Sequence, residues 1–326
     1  LFGHSSVVLC ELRGCLVNIY NEKIMIGTFI DVVLPVFLMA GIGIILRKTR
    51  NVPPGAVSQV TLYVFSPALV FHSLSTTTLS TSDLGSISGF TIVLALVTYP
   101  LSWLAAKLLK LERETTSGFM LTTLFMNSGN YGLPMALFAF GQAGLDRAIV
   151  FFVTQATLAG TLAVFVASRS QLDIKSAAFA VFKMPLVYAS LAGVASNLLN
   201  LTLPVTIGEP VRILGAAAVP SMLIVLGLQI GEKFSIEEPK ALVTACFIRL
   251  VISGCVAYSL TLLFGFTGLS QQVLVVVASM PTAVITIILA TEFRAKPAFV
   301  TSAVVLSTGG SLVTLTVLIS LVKHFL

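Results

Sequence analysis

Two amides, Asn127 and Asn130, stand three residues apart inside a long apolar stretch, with Ser128 and Tyr131 beside them. At that spacing they share one face of a helix. Amides both donate and accept hydrogen bonds, and the two hydroxyls do the same. The surrounding run, Met126-Asn127-Ser128-Gly129-Asn130-Tyr131-Gly132-Leu133-Pro134, also holds two glycines and a proline. Pro134 has no N–H, so the carbonyl of Asn130 loses its helical partner. Gly129 and Gly132 accept backbone angles that other residues resist. The chemistry on offer is recognition of a solute by neutral donors and acceptors at an interrupted helix. In lipid, such an interruption survives only where protein or a watery cavity satisfies its backbone.

A counterpart lies near the C-terminus, in Ala278-Ser279-Met280-Pro281-Thr282-Ala283. Pro281 frees the carbonyl of Val277, and Thr282 adds a hydroxyl. Each proline also opens a new half-helix, whose first N–H groups are unpaired. Each such end carries about half a positive charge, so two facing one region approximate one cation. A single carboxylate is the natural complement. Neither break contains Lys, Arg, Asp or Glu. A fixed charge at mid-membrane costs about 2.5–3.5 kcal/mol on insertion scales, which a neutral site avoids when empty. This favours a weakly held, partly apolar organic anion. Proline kinks with Asn joining neighbouring helices are the plain alternative. Two kinks at equivalent positions, one with paired amides, outweigh it. The expected solute-binding residues are Asn127, Asn130, Tyr131, Gly132, Pro134, Met280, Pro281, Thr282 and Ala283.

The elements that must position these residues are membrane helices. The chain is 56% hydrophobic and 10% charged, with a mean hydropathy of +1.02. Soluble domains run at about 25% charged. The formal charge of +6 is scattered between apolar runs, with no basic stripe and no interleaved aromatics, which excludes nucleic acid as a partner. Ten apolar spans are expected, with cores at 28–46, 56–75, 87–108, 116–140, 145–167, 177–199, 209–230, 241–264, 270–291 and 299–322. With the N-terminus outside, the inward connections hold twelve basic residues, among them Arg47, Lys110, Arg169, Lys233 and Arg294, and the outward ones only Arg147 and Arg212. That asymmetry places both termini outside the cytoplasm.

The prolines repeat. Pro35 and Pro185 are 150 residues apart, Pro67 and Pro220 are 153, and Pro134 and Pro281 are 147. Each pair falls in corresponding spans, so residues 25–168 and 169–326 read as two five-helix repeats. An odd number of spans inverts the second against the first, and solute sites in inverted repeats lie near the midplane, where discontinuous helices meet. Residues 1–24 do not share the pattern. They are expected to be an extension ahead of a natural start at Met25, with no clear signal-peptide layout.

These same residues carry a family resemblance. The run Asn127 to Pro134 resembles the fourth-span motif of the auxin efflux carrier family. Met280-Pro281-Thr282-Ala283, followed by Leu306-Ser307-Thr308, resembles its C-terminal half, and Phe29-Ile30-Asp31-Val32-Val33-Leu34-Pro35 its first span. The likeness covers residues 26–325. It implies ten helices in two inverted repeats with crossed, broken spans four and nine, a scaffold and a transport unit, an elevator motion and a homodimer. It implies transport of auxin or of acids such as malate and malonate, with the carboxylate at Asn127, Asn130, Tyr131, Pro134, Pro281 and Thr282. Ser128 stands where the plant motif has proline, and the connection from Arg169 to Lys175 is short. Both point to a bacterial-type member in a cell's inner membrane.

The remaining chemistry is sparse. Arg249, in span eight, has a possible charge role towards the anion, although its long stem is expected to snorkel to the inner surface. His72, near the outer end of span two, is of the residue type that can relay a proton near neutral pH, although an interfacial position is the expectation. Proton or sodium coupling stays open. Asp31 and Glu292 read as solvated caps, and Gln155 and Gln229 as polar residues joining helices. Cys10, Cys15, Cys246 and Cys255 show no metal spacing, and no cofactor or metal is expected. A solute-sensing receptor on a carrier fold is one alternative. An intramembrane hydrolase is another, but the chain lacks both a Gly-x-Ser-x-Gly elbow and a His-Glu-x-x-His motif.

Overall fold

Helix starts follow the punctuation of the sequence. Pro54, Pro185, Pro239 and Pro297 each open a helix, at the position where a missing N–H costs nothing. Ser80 caps another through a reciprocal pair: its hydroxyl accepts from the Asp83 N–H at 3.1 Å, and the Asp83 carboxylate accepts from the Ser80 N–H at 3.0 Å. The computed structural model describes residues 23–168, 184–231 and 235–326. The helices are α1 (Lys23–Arg50), α2 (Pro54–Thr76), α3 (Thr81–Leu108), α4 (Arg113–Leu124), α5 (128–140), α6 (142–168), α7 (Pro185–Leu198), α8 (Val205–Ile230), α9 (Pro239–Leu263), α10 (Gly268–Ala278), α11 (Ile285–Glu292) and α12 (Pro297–Phe325). Gly141, at φ 67° and ψ −163°, separates α5 from α6.

Among the described residues, seven segments are long and apolar enough to cross a membrane: α1, α2, α3, α8, α9, α12 and the run Ser128–Ala159. The residues expected to form the fourth of ten spans fall in α4 and α5, and those expected to form the ninth fall in α10 and α11. The sixth is α7, with 177–183 outside the described residues, as are most of the extension, Cys10, Cys15, Arg169, Lys175 and Lys233. Large aliphatics lie on the rim as well as in the apolar core. Leu38, Leu96, Leu191, Val243 and Val313 point outward, while Ser302, Ser307, Thr308 and Ser311 on α12 are buried. Small hydroxyl residues between helices and large aliphatics on the rim suit lipid as the solvent.

Several helix pairs touch through glycine, and two of these contacts match each other. On α1, a Cβ at Gly43 would lie 2.2 Å from the Ile224 carbonyl oxygen and 2.9 Å from Gly227 Cα on α8. On α7, a Cβ at Gly193 would lie 3.0 Å from the Phe71 carbonyl oxygen and 3.1 Å from Leu74 Cβ on α2. The two contacts correspond residue by residue. Gly43 and Gly193 are 150 apart, Phe71 and Ile224 are 153 apart, and so are Leu74 and Gly227. Those are the separations of Pro35 from Pro185 and of Pro67 from Pro220 in the same helices.

Candidate functional site at two meeting helix interruptions

α4 stops at Leu124, and the backbone runs extended through Phe125, at φ −102° and ψ 105°. It resumes as a wide π turn over Ser128–Gly132 that leads into the rest of α5. The interruption therefore lies at 125–127, ahead of the expected Asn130–Pro134 step. In that turn the Gly132 N–H donates to the Asn127 carbonyl, five residues back, at 2.9 Å. In the second segment α10 stops at Ala278, and α11 starts at Ile285.

The two interruptions pair with each other. Met126 and Thr282 form an isolated antiparallel bridge. The Asn127 N–H donates to the Pro281 carbonyl at 2.7 Å, and the Ala283 N–H donates to the Phe125 carbonyl at 2.8 Å. Backbone groups that no helix satisfies are thus satisfied across the crossing. The structure brings Asn127, Met280, Pro281, Thr282 and Ala283 into one buried region, with Gly132 alongside. A Cβ on Gly132 would lie 3.4 Å from the Asn127 carbonyl oxygen and 3.5 Å from Met280 Cγ.

Several of these groups are already engaged. The Thr282 hydroxyl donates to the Thr122 carbonyl at 2.9 Å, and its N–H donates to Ser307 Oγ at 3.1 Å. Two N–H groups expected to face a solute, those of Thr282 and Ala283, are therefore held by Ser307 and Phe125. Tyr131 is fully buried, its hydroxyl 3.0 Å from Ser311 Oγ and its ring edge-on to Phe37 at 6.0 Å. Pro134 is buried within α5, beyond the crossing. Two amide positions remain. Asn127 is 5% exposed, and its Nδ2 has no hydrogen-bond partner. Asn130 is half-buried. A buried amide donor without an acceptor costs about 1–3 kcal/mol, so it points to a group that supplies one.

Two residues read in sequence as peripheral to the breaks, Gln155 and Arg249, lie beside them. Gln155 on α6 donates Nε2 to the Met126 carbonyl at 2.8 Å, while its Oε1 has no partner. It lines a cavity of about 20 Å³ with Thr91, Tyr99, Phe125 and Met126, room for about one water. Arg249 corrects the expectation of snorkelling. It is fully buried, and its guanidinium donates to the carbonyls of Thr123 and Ala278 at 2.7 and 2.5 Å. The physical reason is the supply of orphaned carbonyls at the two helix ends, which solvate a cation without a route to water. The signal in sequence was a basic residue deep inside an apolar span. His72 is half-buried near the end of α2, and its carbonyl accepts from Ser75 and Thr76. None of the hydrogen bonds at the crossing involves it.

The family described as "Membrane transport protein" matches residues 28–179 and 168–319. An uncharacterized transporter of Methanothermobacter thermautotrophicus is 31% identical over 294 residues, 87% of this chain and 95% of its own length. An uncharacterized transporter of Methanocaldococcus jannaschii is 26% identical over 299 residues, 86% of this chain and 95% of its own.

Proposed function

The chain belongs to the membrane transport protein family, the auxin efflux carrier type of transporter, and from that premise we propose that it is a secondary active carrier of a small carboxylate-bearing organic anion. On this reading residues 25–168 and 169–326 are two inverted five-helix repeats, and spans four and nine are broken helices that cross at the solute site. The matched glycine contacts of α1 with α8 and of α7 with α2 support the repeat. The solute's carboxylate binds at the crossing, with Asn127 and Asn130 as its side-chain donors. Malate, malonate or an auxin-like acid is the substrate class. Alternating access is by an elevator motion, in a homodimer, in the cell membrane with both termini outside.

The carrying observation is the buried Asn127 amide, unpartnered beside two paired helix interruptions. The family is one of transporters, and Ser128 is buried, with its N–H on the Met126 carbonyl at 2.9 Å. The test is flux in proteoliposomes loaded with malonate or malate. Asn130→Ala and Asn127→Ala should each abolish flux while the purified protein keeps its thermal midpoint. Undiminished flux in both variants would remove the amides from the site. Binding of the acids without any flux would favour a receptor.

A further inference from the structure

The guanidinium of Arg249 sits where the first half of each interrupted helix ends. Its Nη1 reaches the Thr123 carbonyl in the last turn of α4, and its Nη2 reaches the carbonyl of Ala278, the final residue of α10. Nη2 also lies 4.0 Å from Met126 Sδ. A helix C-terminus carries about half a negative charge, so two meeting ends present roughly one. In carriers built from discontinuous helices, such carbonyl ends hold mobile sodium ions or protons, while the opposing N-terminal ends hold the anion. Here the positive charge is covalently attached, and an arginine side chain stays protonated in proteins.

The fold delivers the side chain deliberately. Arg249 lies in a π turn, Ile248–Ile252, in the middle of α9, a local widening that redirects side chains. One turn further, Gly254 lets α9 close on the second interruption, since a Cβ there would lie 2.6 Å from Ser279 Oγ. The groups that accept from Arg249 are carbonyls and a thioether, not carboxylates. Its charge is therefore balanced by the helix ends themselves. One donor, Nε, is buried without a partner.

We infer that Arg249 is a resident cation of the crossing, a positioning residue that ties the two carbonyl ends together and takes the place of a mobile one. With those ends neutralised, the N-terminal ends attract the anion whatever the sodium concentration. Only that last consequence rests on the anion-transport reading; the clamp itself does not.

The test compares thermal unfolding of purified protein at constant ionic strength in sodium chloride and in choline chloride. Wild-type protein should unfold at the same midpoint in both. Arg249→Ala should unfold several degrees lower, and millimolar methylguanidinium, but not tetramethylammonium, should restore most of the loss. Arg249→Lys, which keeps the charge but not the fork, should fall between. The inference is overturned if Arg249→Ala matches wild-type protein, or if the two organic cations restore it equally. It is also overturned if sodium stabilises the wild-type protein saturably over choline. Should Arg249→Ala fail to fold, the sodium comparison on wild-type protein decides alone. No solute enters these measurements, so failure of every organic acid to bind would sink the transport reading and leave this result standing.

Discussion

Replacing Thr282 by valine tests whether hydrogen bonds or apolar burial hold the crossing. The two side chains have nearly the same shape, so no cavity forms at this site, which is 2% exposed. Burial alone predicts a neutral or stabilising change. The hydrogen bonds predict the opposite. The hydroxyl donates to the Thr122 carbonyl at 2.9 Å, in the last turn of α4, where helical partners run out. Its loss strands a buried acceptor, at about 1–3 kcal/mol. At 1.4 kcal/mol per tenfold, that is roughly a 5- to 150-fold loss in the folded-to-unfolded ratio. Thr282→Ser keeps the hydroxyl and gives up one methyl, about 0.8 kcal/mol. The expected order of stability is therefore wild type, then serine, then valine. Reversible unfolding in mixed micelles, titrated with a denaturing detergent, reads the order directly. Valine at or above serine would refute the argument and leave apolar packing as the principal tie between the interruptions.

Three further outcomes follow from the same geometry. Gly227→Val should prevent folding, because its Cβ would lie 1.8 Å from the Ala40 carbonyl oxygen, whereas Gly41→Val, with nothing within 4 Å of its Cβ, should be silent in the same expression and thermal assay. Ser80→Ala should cost about 1 kcal/mol through the lost cap of α3, and Ser80→Asp should recover most of it in detergent unfolding. Gln155→Leu should leave stability nearly unchanged: the Met126 carbonyl keeps the Ser128 N–H at 2.9 Å, and the unpartnered Oε1 is removed. A large loss on that substitution would show that Gln155 holds the first interruption by itself.

What the sequence made legible was backbone chemistry. A proline in an apolar run states which carbonyl is freed, and equal proline spacings tie spans together, so the segments that meet at Met126 and Thr282 stood out before any contact was known. Side-chain partners were not legible. Thr282 and Tyr131 look like free hydroxyls in sequence, yet Thr122 and Ser311 hold them, over separations of 160 and 180 residues. The location of the first interruption was off as well, because a π turn keeps α5 helical ahead of Pro134. Arg249 shows the same limit. A charge inside an apolar span reads as a cost to be relieved by reaching water, and only the fold reveals two sets of orphaned carbonyls within its reach.

The hydrogen bonds also indicate where an elevator motion would have to slip. α1 and α8 interlock at Gly43 and Gly227, α7 and α2 at Gly193, and the interruptions are tied to one another by backbone bonds. On the proposed elevator reading, motion within these tied groups would break their contacts, and the slip would fall between them. There, Ser73 on α2 donates to Asp146 on α6 at 2.5 Å, and Asp146 also accepts from Gln142 at 2.9 Å. A hydrogen bond to a charged group contributes about 1.5–3 kcal/mol, and the partial exposure of Asp146 favours the lower end. If the bond exists in one state only, its loss moves the balance between states by about tenfold. Ser73→Ala deletes it without touching the crossing. Spin labels at the exposed positions Thr76 and Ala143 would report the separation of α2 from α6. The expected result is growth of a second distance population in Ser73→Ala, with the thermal midpoint held. An unchanged distribution would mean that α2 and α6 do not slide past one another at this contact, and the moving boundary would have to be sought elsewhere in the fold.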